Sequence, residues 1–200
     1  MPELDLNGVR LLPGHLDPKA QADLVAEVRR VCAAAPLMRH MTPRGQPLSV
    51  RMTAAGKFGW ISDRQGYRYA ARHPGGTDWP PIPDVLLQVW SDLLPKARAP
   101  ESCLVNFYGE GARMGLHQDR DEADLTQPVL SISLGDDGLF RVGGTTRGGR
   151  TRSVWMKSGD VAILQGAGRL AYHGVDRIRF GSSPLLAQGG RLNLTLRVVT

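Results

Sequence analysis

His117, Asp119 and His173 are the residues whose types and spacing most directly suggest chemistry. Residues two apart on a strand point to the same face, so His117-Gln-Asp119 sets an imidazole beside a carboxylate. His173 ends another predicted strand and offers a second imidazole. Two histidines and one carboxylate on one side of a metal, with the other side open, form the ligand set of non-haem Fe(II) oxygenases. The open positions matter because a cosubstrate and O2 must both reach the iron. Taken alone, a His-x-Asp tripeptide is common and proves little.

The end of the chain adds a second constellation. Between Arg191 and Val199, Leu192, Leu194, Leu196 and Val198 alternate with Arg191, Asn193, Thr195 and Arg197. One face of this strand is apolar and the other polar. Arg is rarely buried without a partner, and a dicarboxylate would suit two of them. The plainer alternative is that both guanidiniums line a solvated edge. Asn106 and Tyr108 share a face of a strand just upstream of His117 and can add hydrogen bonds to the same ligand.

These residues need a β framework to hold them. Short runs between turn signals predict strands at Cys103–Tyr108, Arg113–His117, Val129–Leu134, Gly138–Val142, Arg152–Lys157, Val161–Leu164, Arg169–His173 and Arg191–Val199. About eight strands suggest a jelly roll or barrel. Ahead of them the spacing predicts a helix over 18–34, with Asp17 as N-cap and Pro18 at its first position. A second helix is predicted over 84–94, with Pro95 beyond it. Residues 36–83 read as irregular. There Arg39, Arg44, Arg51, Lys57, Arg64, Arg68 and Arg72 interleave with Phe58, Trp60, Tyr67, Tyr69 and Trp79. Gly143–Arg152 is a Gly/Arg loop.

Two hundred residues make one domain whose core needs no disulfide or metal. Gly (24) and Pro (14) point to many turns without reaching the range of a disordered chain. The formal charge is +6, and 21 of the 25 basic residues are Arg. That surplus fits phosphate or carboxylate recognition, or simply a solvated basic surface. No apolar run approaches the roughly 18 residues of a membrane span. Met1-Pro-Glu-Leu-Asp5 lacks a signal-peptide pattern. Cys32 and Cys103 are too few for a disulfide framework. A soluble, monomeric, cytoplasmic protein is expected.

Five segments in order carry a family resemblance: Asn106-Phe-Tyr108, Leu116-His-Gln-Asp-Arg-Asp-Glu122, Ser131-Ile-Ser-Leu-Gly135, Tyr172-His-Gly174 and Arg191-Leu-Asn-Leu-Thr-Leu-Arg197. Together they resemble the AlkB family of Fe(II)/2-oxoglutarate-dependent dioxygenases, which repair alkylated nucleic acid bases. Gly59–Tyr69 resembles the nucleotide-recognition lid of the bacterial members. The resemblance runs from about residue 37 to the end. It implies one domain over 1–200, mainly β, with a double-stranded β-helix (jelly roll) core over about 102–200. Flanking N-terminal helices and a lid over about 36–83 complete it.

The resemblance also implies roles. His117, Asp119 and His173 would hold Fe(II). Asn106, Tyr108, Arg191, Asn193 and Arg197 would hold 2-oxoglutarate, with Arg191 taken as partner of the distal carboxylate. Trp60, Tyr67, Arg68, Tyr69, Asp121 and Arg147 would meet the nucleotide. The implied reaction consumes O2 and removes methyl groups from lesions such as 1-methyladenine and 3-methylcytosine in DNA, single- or double-stranded, with RNA left open. A base methylated on its Watson–Crick nitrogen is cationic, so Asp121 could stabilise it while Trp60 and Tyr67 stack on it. Asp119–Glu122 as a mere solvated charge run, and the aromatics as ordinary core, are the plainer readings.

Three other functions compete. One keeps the iron chemistry for a protein, lipid or small-molecule substrate. Another is a non-enzymatic basic jelly roll that binds nucleic acid. The third, a dinucleotide-binding oxidoreductase, fails because Gly109-Glu-Gly-Ala-Arg-Met-Gly115 puts Met114 where the fingerprint needs its third glycine.

Overall fold

The computed structural model describes residues 2–200. Asp17 caps the first helix, α1 (Pro18–Ala34), its side chain accepting from the Ala20 N–H at 2.8 Å. The second helix, α2 (Asp84–Leu93), stops ahead of Pro95. Among the described residues no helix is long and apolar enough to cross a membrane.

Eight of the strands form one antiparallel sheet. β1 (Leu4–Leu6) and β2 (Val9–Leu12) make an N-terminal hairpin. Its Asn7-Gly8 turn has φ of 54° and 83°, the pair of positive values that a tight hairpin of this hand requires. β3 (Met38–Met41) and β4 (Pro47–Gly56) follow α1. β7 (Ser102–Tyr108), β9 (Val129–Gly135), β12 (Val161–Leu164) and β14 (Arg191–Arg197) complete the order β1-β2-β12-β9-β14-β7-β4-β3. Four more strands, β8 (Met114–His117), β10 (Asp137–Val142), β11 (Arg152–Met156) and β13 (His173–Arg179), form the opposing sheet in the order β11-β10-β13-β8. β5 (Gly59–Asp63) and β6 (Gly66–Ala70) stand apart as a two-stranded hairpin. The whole is a double-stranded β-helix.

The alternation in β14 decides the layering. Leu192, Leu194 and Leu196 join Leu24, Val28, Leu86 and Trp90 in one core between the large sheet and the helices. The opposite face of β14 looks into the space between the sheets. Two smaller clusters flank that space, one around Phe140 and Leu164 and the other around Met52 and Leu104.

Three expectations change. Residues 36–83 are not irregular: they hold β3, β4 and the β5–β6 hairpin. β4 pairs with β7 from Arg51↔Phe107 to Gly56↔Ser102, so it belongs to the large sheet. Its Thr53-Ala-Ala-Gly56 run has weak β preference of its own, and the long-range ladder holds it. The second change concerns Arg169–His173, which is not a strand. Gly166–Gly168 form a turn of 3-10 helix, and β13 begins at His173. A Cβ on Gly168 would lie 2.1 Å from the Gly8 oxygen, so the turn is pressed against the N-terminal hairpin. That hairpin is the third change, because residues 1–16 carried no strand prediction although Asn-Gly is a strong turn signal.

β13 and β8 approach closely at Gly174, where a Cβ would sit 2.5 Å from the Met114 oxygen and 2.6 Å from that of Gly115. Gly174→Ala should therefore force the two strands apart, costing about 1–3 kcal/mol. Urea unfolding will show a lowered midpoint, and metal affinity measured on the folded variant will fall with it.

Candidate metal centre

The register of β8 against β13 makes His117 and His173 direct cross-strand partners. Their rings lie 4.6 Å apart between centroids. Each ring has one nitrogen, Nδ1, beside a carbonyl two residues earlier: His117 to Gly115 at 3.0 Å, His173 to Ala171 at 2.9 Å. Donation from Nδ1–H to these carbonyls leaves both Nε2 lone pairs free, and Nε2 is the side that faces Asp119. The Nε2 atoms lie 3.7 and 3.6 Å from the Asp119 carboxylate oxygens. All three donors fall within 4.8 Å of one another.

Protonation states suit ligation. Burial pushes the His173 imidazole down to about 4, helped by the nearby His117 and opposed by Asp119. It is neutral at physiological pH. Burial alone would raise the Asp119 carboxyl, but Arg197 and the two histidines outweigh it and hold it well below the usual carboxylate range. Its Oδ2 is buried without a hydrogen-bond partner. A carboxylate oxygen in that condition, facing two imidazole lone pairs, is what a divalent metal requires and what an apolar core would not tolerate.

Asp119 does not reach this place by strand alternation, because β8 ends at His117. Long-range contacts position it instead. Arg197 Nη2 lies 3.0 Å from Asp119 Oδ1, and Arg169 Nη1 donates to the Asp119 carbonyl at 2.6 Å. Arg169 also donates to Gln127 O and to Glu122 Oε2. Of the charged run Asp119–Glu122, the two outer acids are buried, while Arg120 and Asp121 are exposed. The solvated-run reading is thus wrong for the ends, and in the exposed middle Asp121 lines the cavity and accepts from Trp60.

The polar face of β14 lines one cavity of about 560 Å³ with the three donors. Arg191 is 2% exposed, donates Nη2 to Ser133 Oγ at 2.7 Å, and leaves Nε and Nη1 without partners. It makes no ion pair among the described residues. Burial pulls its pKa below the ordinary Arg value, and the guanidinium lies over the Tyr108 ring at 5.5 Å. Burial pushes the Tyr108 phenol up to about 12, so it stays a donor. Asn106 Oδ1 is likewise buried and unpartnered, whereas Asn193 is bonded to Ser131, Ile132 O and Thr195. A buried cation with two idle donors fits an anionic cosubstrate such as 2-oxoglutarate. Arg197 meets Asp119 through Nη2 and, like Arg191, has a buried Nε and Nη1 without hydrogen-bond partners, but only Arg191 lacks a carboxylate of its own.

The β5–β6 hairpin closes one side of the cavity. Trp60 and Tyr67 are stacked on each other, 5.5 Å between centroids and 15° between planes. Trp60 Nε1 donates to Asp121 Oδ2 at 2.8 Å, and the Tyr69 hydroxyl donates to Glu122 Oε1 at 2.5 Å. Arg147 reaches the rim from the exposed Gly/Arg loop. Arg68 departs from the expectation. It pairs with Ile61 on the other face of the hairpin, is held by Asp63 at 2.7 and 2.9 Å, and does not line the cavity.

Glu122, Arg169 and the serines at 131 and 133 escaped sequence reasoning as site residues. Glu122 was visible only as part of a charge run, and Arg169 only as a strand start; nothing local marks either as buried.

The chain's similarities agree with this geometry. A model of the 2OG-Fe(II) oxygenase superfamily matches residues 8–197. The alpha-ketoglutarate-dependent dioxygenase AlkB homolog of Caulobacter vibrioides NA1000 is 55% identical over 191 residues, covering 95% of this chain and 87% of that protein. The alpha-ketoglutarate-dependent dioxygenase AlkB of Escherichia coli K12 is 36% identical over 187 residues, covering 89% and 84%. The solved structure of OsALKBH1 superposes with a TM-score of 0.85 at 30% identity, covering 98% of this chain and 99% of the other.

His173→Ala should lower Fe(II) affinity at least about 100-fold, beyond the 10–100-fold typical of losing an outer-sphere partner. His15→Ala, at an exposed position, should leave it unchanged. Anaerobic Fe(II) titration checks both.

Proposed function

The chain belongs to the 2OG-Fe(II) oxygenase superfamily and, within it, to the AlkB family; from that premise we propose that it removes methyl groups from alkylated bases of nucleic acid, with His117, Asp119 and His173 holding the iron. Bound iron and 2-oxoglutarate supply the oxidising chemistry that hydroxylates an N-methyl group with O2, so that formaldehyde leaves with succinate and CO2 as co-products. The chain's own residues bind, orient and exclude water.

In this reading Arg191 takes the far carboxylate of 2-oxoglutarate through its idle Nε and Nη1 donors, and Tyr108 and Asn106 complete that end of the cavity. Arg197 keeps Asp119 ionised through Nη2, and its unpartnered Nε and Nη1, with Asn193, face the near end of the cosubstrate. The serine hydroxyls at 131 and 133 orient Asn193 and Arg191 and keep the polar face of β14 in register with the cosubstrate.

The observation that carries the choice of substrate is the rim. An exposed carboxylate, Asp121, sits two residues from an iron ligand and at the edge of a Trp60–Tyr67 stack, accepting from Trp60 Nε1. A flat cation suits that combination. Asp121 can accept from the exocyclic nitrogen of a base methylated on its Watson–Crick nitrogen, while the aromatic face covers the ring. Such a methyl is unreachable inside a duplex, so the nucleotide enters unpaired or extruded, and a lesion that pairs poorly is extruded most easily. The exposed arginines of the 143–152 loop stand ready for phosphates. Two more distant relatives are named for nucleic acid demethylation: the DNA N(6)-methyladenine demethylase ALKBH1D of Arabidopsis thaliana, 40% identical over 115 residues (52% of this chain, 26% of that protein), and the tRNA demethylase abh1 of Schizosaccharomyces pombe, 29% over 145 residues (70% and 48%).

Formaldehyde release from oligonucleotides carrying 1-methyladenine or 3-methylcytosine, against unmodified controls, tests the reading. Turnover of 2-oxoglutarate that no methylated oligonucleotide stimulates would overturn it. Arg191→Lys keeps the charge and loses the fork. It should raise the 2-oxoglutarate concentration for half-maximal rate about 10- to 100-fold, the equivalent of one charge-assisted hydrogen bond. Trp60→Ala should weaken methylated-oligonucleotide binding about 5- to 100-fold, as loss of one stacking platform does, and leave Fe(II) affinity unchanged.

A further inference from the structure

Glu122 is the meeting point of two parts of the molecule that are remote in sequence. From the hairpin, Tyr69 donates to its Oε1 at 2.5 Å. From the core, Arg169 Nη2 donates to its Oε2 at 3.0 Å and Arg197 Nε lies 3.4 Å from Oε1. Both arginines continue to the same metal ligand. Arg197 meets the Asp119 carboxylate at 3.0 Å, and Arg169 meets the Asp119 backbone carbonyl at 2.6 Å. Glu122, Arg169, Arg197 and Asp119 are all buried, so the contacts among these four are not diluted by water, while Tyr69 is half-buried. Burial also raises the Tyr69 phenol far above its ordinary value, which keeps the hydroxyl a permanent donor.

We propose that Tyr69 is a positioning residue that ties closure of the β5–β6 hairpin to the readiness of Asp119 to bind metal. Its hydroxyl fixes the Glu122 carboxylate, Glu122 holds Arg169 by a hydrogen bond and Arg197 by charge, and these set both the backbone and the carboxylate of Asp119. The coupling is reciprocal by thermodynamic necessity: a hairpin that improves metal binding is itself held down by metal to the same extent. It requires no nucleic acid, so it stands apart from the choice of substrate and bears on the protein before any substrate arrives. The hairpin that carries Trp60 is then held over the cavity more firmly when the centre beneath it is loaded.

The test uses Co(II) alone as the probe, with amide hydrogen exchange of residues 59–70 and Co(II) titration by its d–d absorption. In the wild-type protein Co(II) should slow exchange in 59–70. In Tyr69→Phe, which removes one hydroxyl and keeps the ring, that slowing should shrink about five- to twentyfold, and Co(II) affinity should fall by the same factor. Asp63→Asn breaks the Asp63–Arg68 pair at the far end of the hairpin. It should speed exchange at the 63–66 turn alone, leave the Trp60–Tyr69 end closed, and so leave Co(II) affinity and the metal-induced slowing at residues 60 and 69 intact. Exchange of the β14 amides in the same samples reports global folding, so a general loss of stability is separated from the local effect. Wild-type Co(II) affinity in Tyr69→Phe, or an undiminished response of 59–70 to Co(II), would overturn the proposal; so would equal losses in Tyr69→Phe and Asp63→Asn.

Discussion

Four buried charges, Asp119 and Glu122 against Arg169 and Arg197, are the constraint on which the site depends. Two acids and two bases balance, so the cluster adds no net charge to the space between the sheets. Such a cluster is a poor source of net stability, yet removing a single member strands a buried charge at a cost of about 3–5 kcal/mol. What it supplies is position. The chain has left β8 by Asp119, and no ladder hydrogen bond tells that residue where to lie. Two guanidiniums do so instead, one at the carboxylate and one at the backbone.

Beside that balanced cluster sits an unbalanced cation. Arg191 is among the largest fully buried side chains in the molecule, with two of its nitrogens unpartnered. Leaving such a group dry and alone is expensive. Two unpartnered donors on a buried cation suit a dianion such as 2-oxoglutarate. The division of labour between the two strand arginines follows from where they stand on β14: Arg197 lies at the end near Asp119, and Arg191 two turns of the pleat and more away, opposite Tyr108 and Gly135. Gly138 on the opposing sheet completes the fit, since a Cβ there would stand 2.7 Å from Arg191 Nε.

Much of this framework was legible locally. α1, α2 and seven of the eight predicted strands lie where periodicity and capping place them, because those signals depend on neighbours in sequence. Residues 36–83 were not legible. Pro, Gly and Ala dilute the β preference of β4, and only its ladder with β7 makes it a strand. Arg169 misled for the opposite reason: its flanking residues read as extended, but its guanidinium turns inward to three acceptors from other segments. The Asn7-Gly8 hairpin was a readable signal that the short runs around it obscured.

The sequence by itself determined the donor set, the alternation of β14 and the aromatic character of the hairpin, since residue type and local period carry all three. Only the tertiary structure decided which groups meet. The β8–β13 register made His117 and His173 partners, the large sheet claimed β4, and ion pairing gave Arg197 carboxylate partners that Arg191 lacks. It also turned Arg68 away from the cavity and drew Glu122 and Arg169 into its support. The physical reason is that a buried charge takes its role from the nearest opposite charge, and here those neighbours lie up to 78 residues apart along the chain, as Arg197 and Asp119 do.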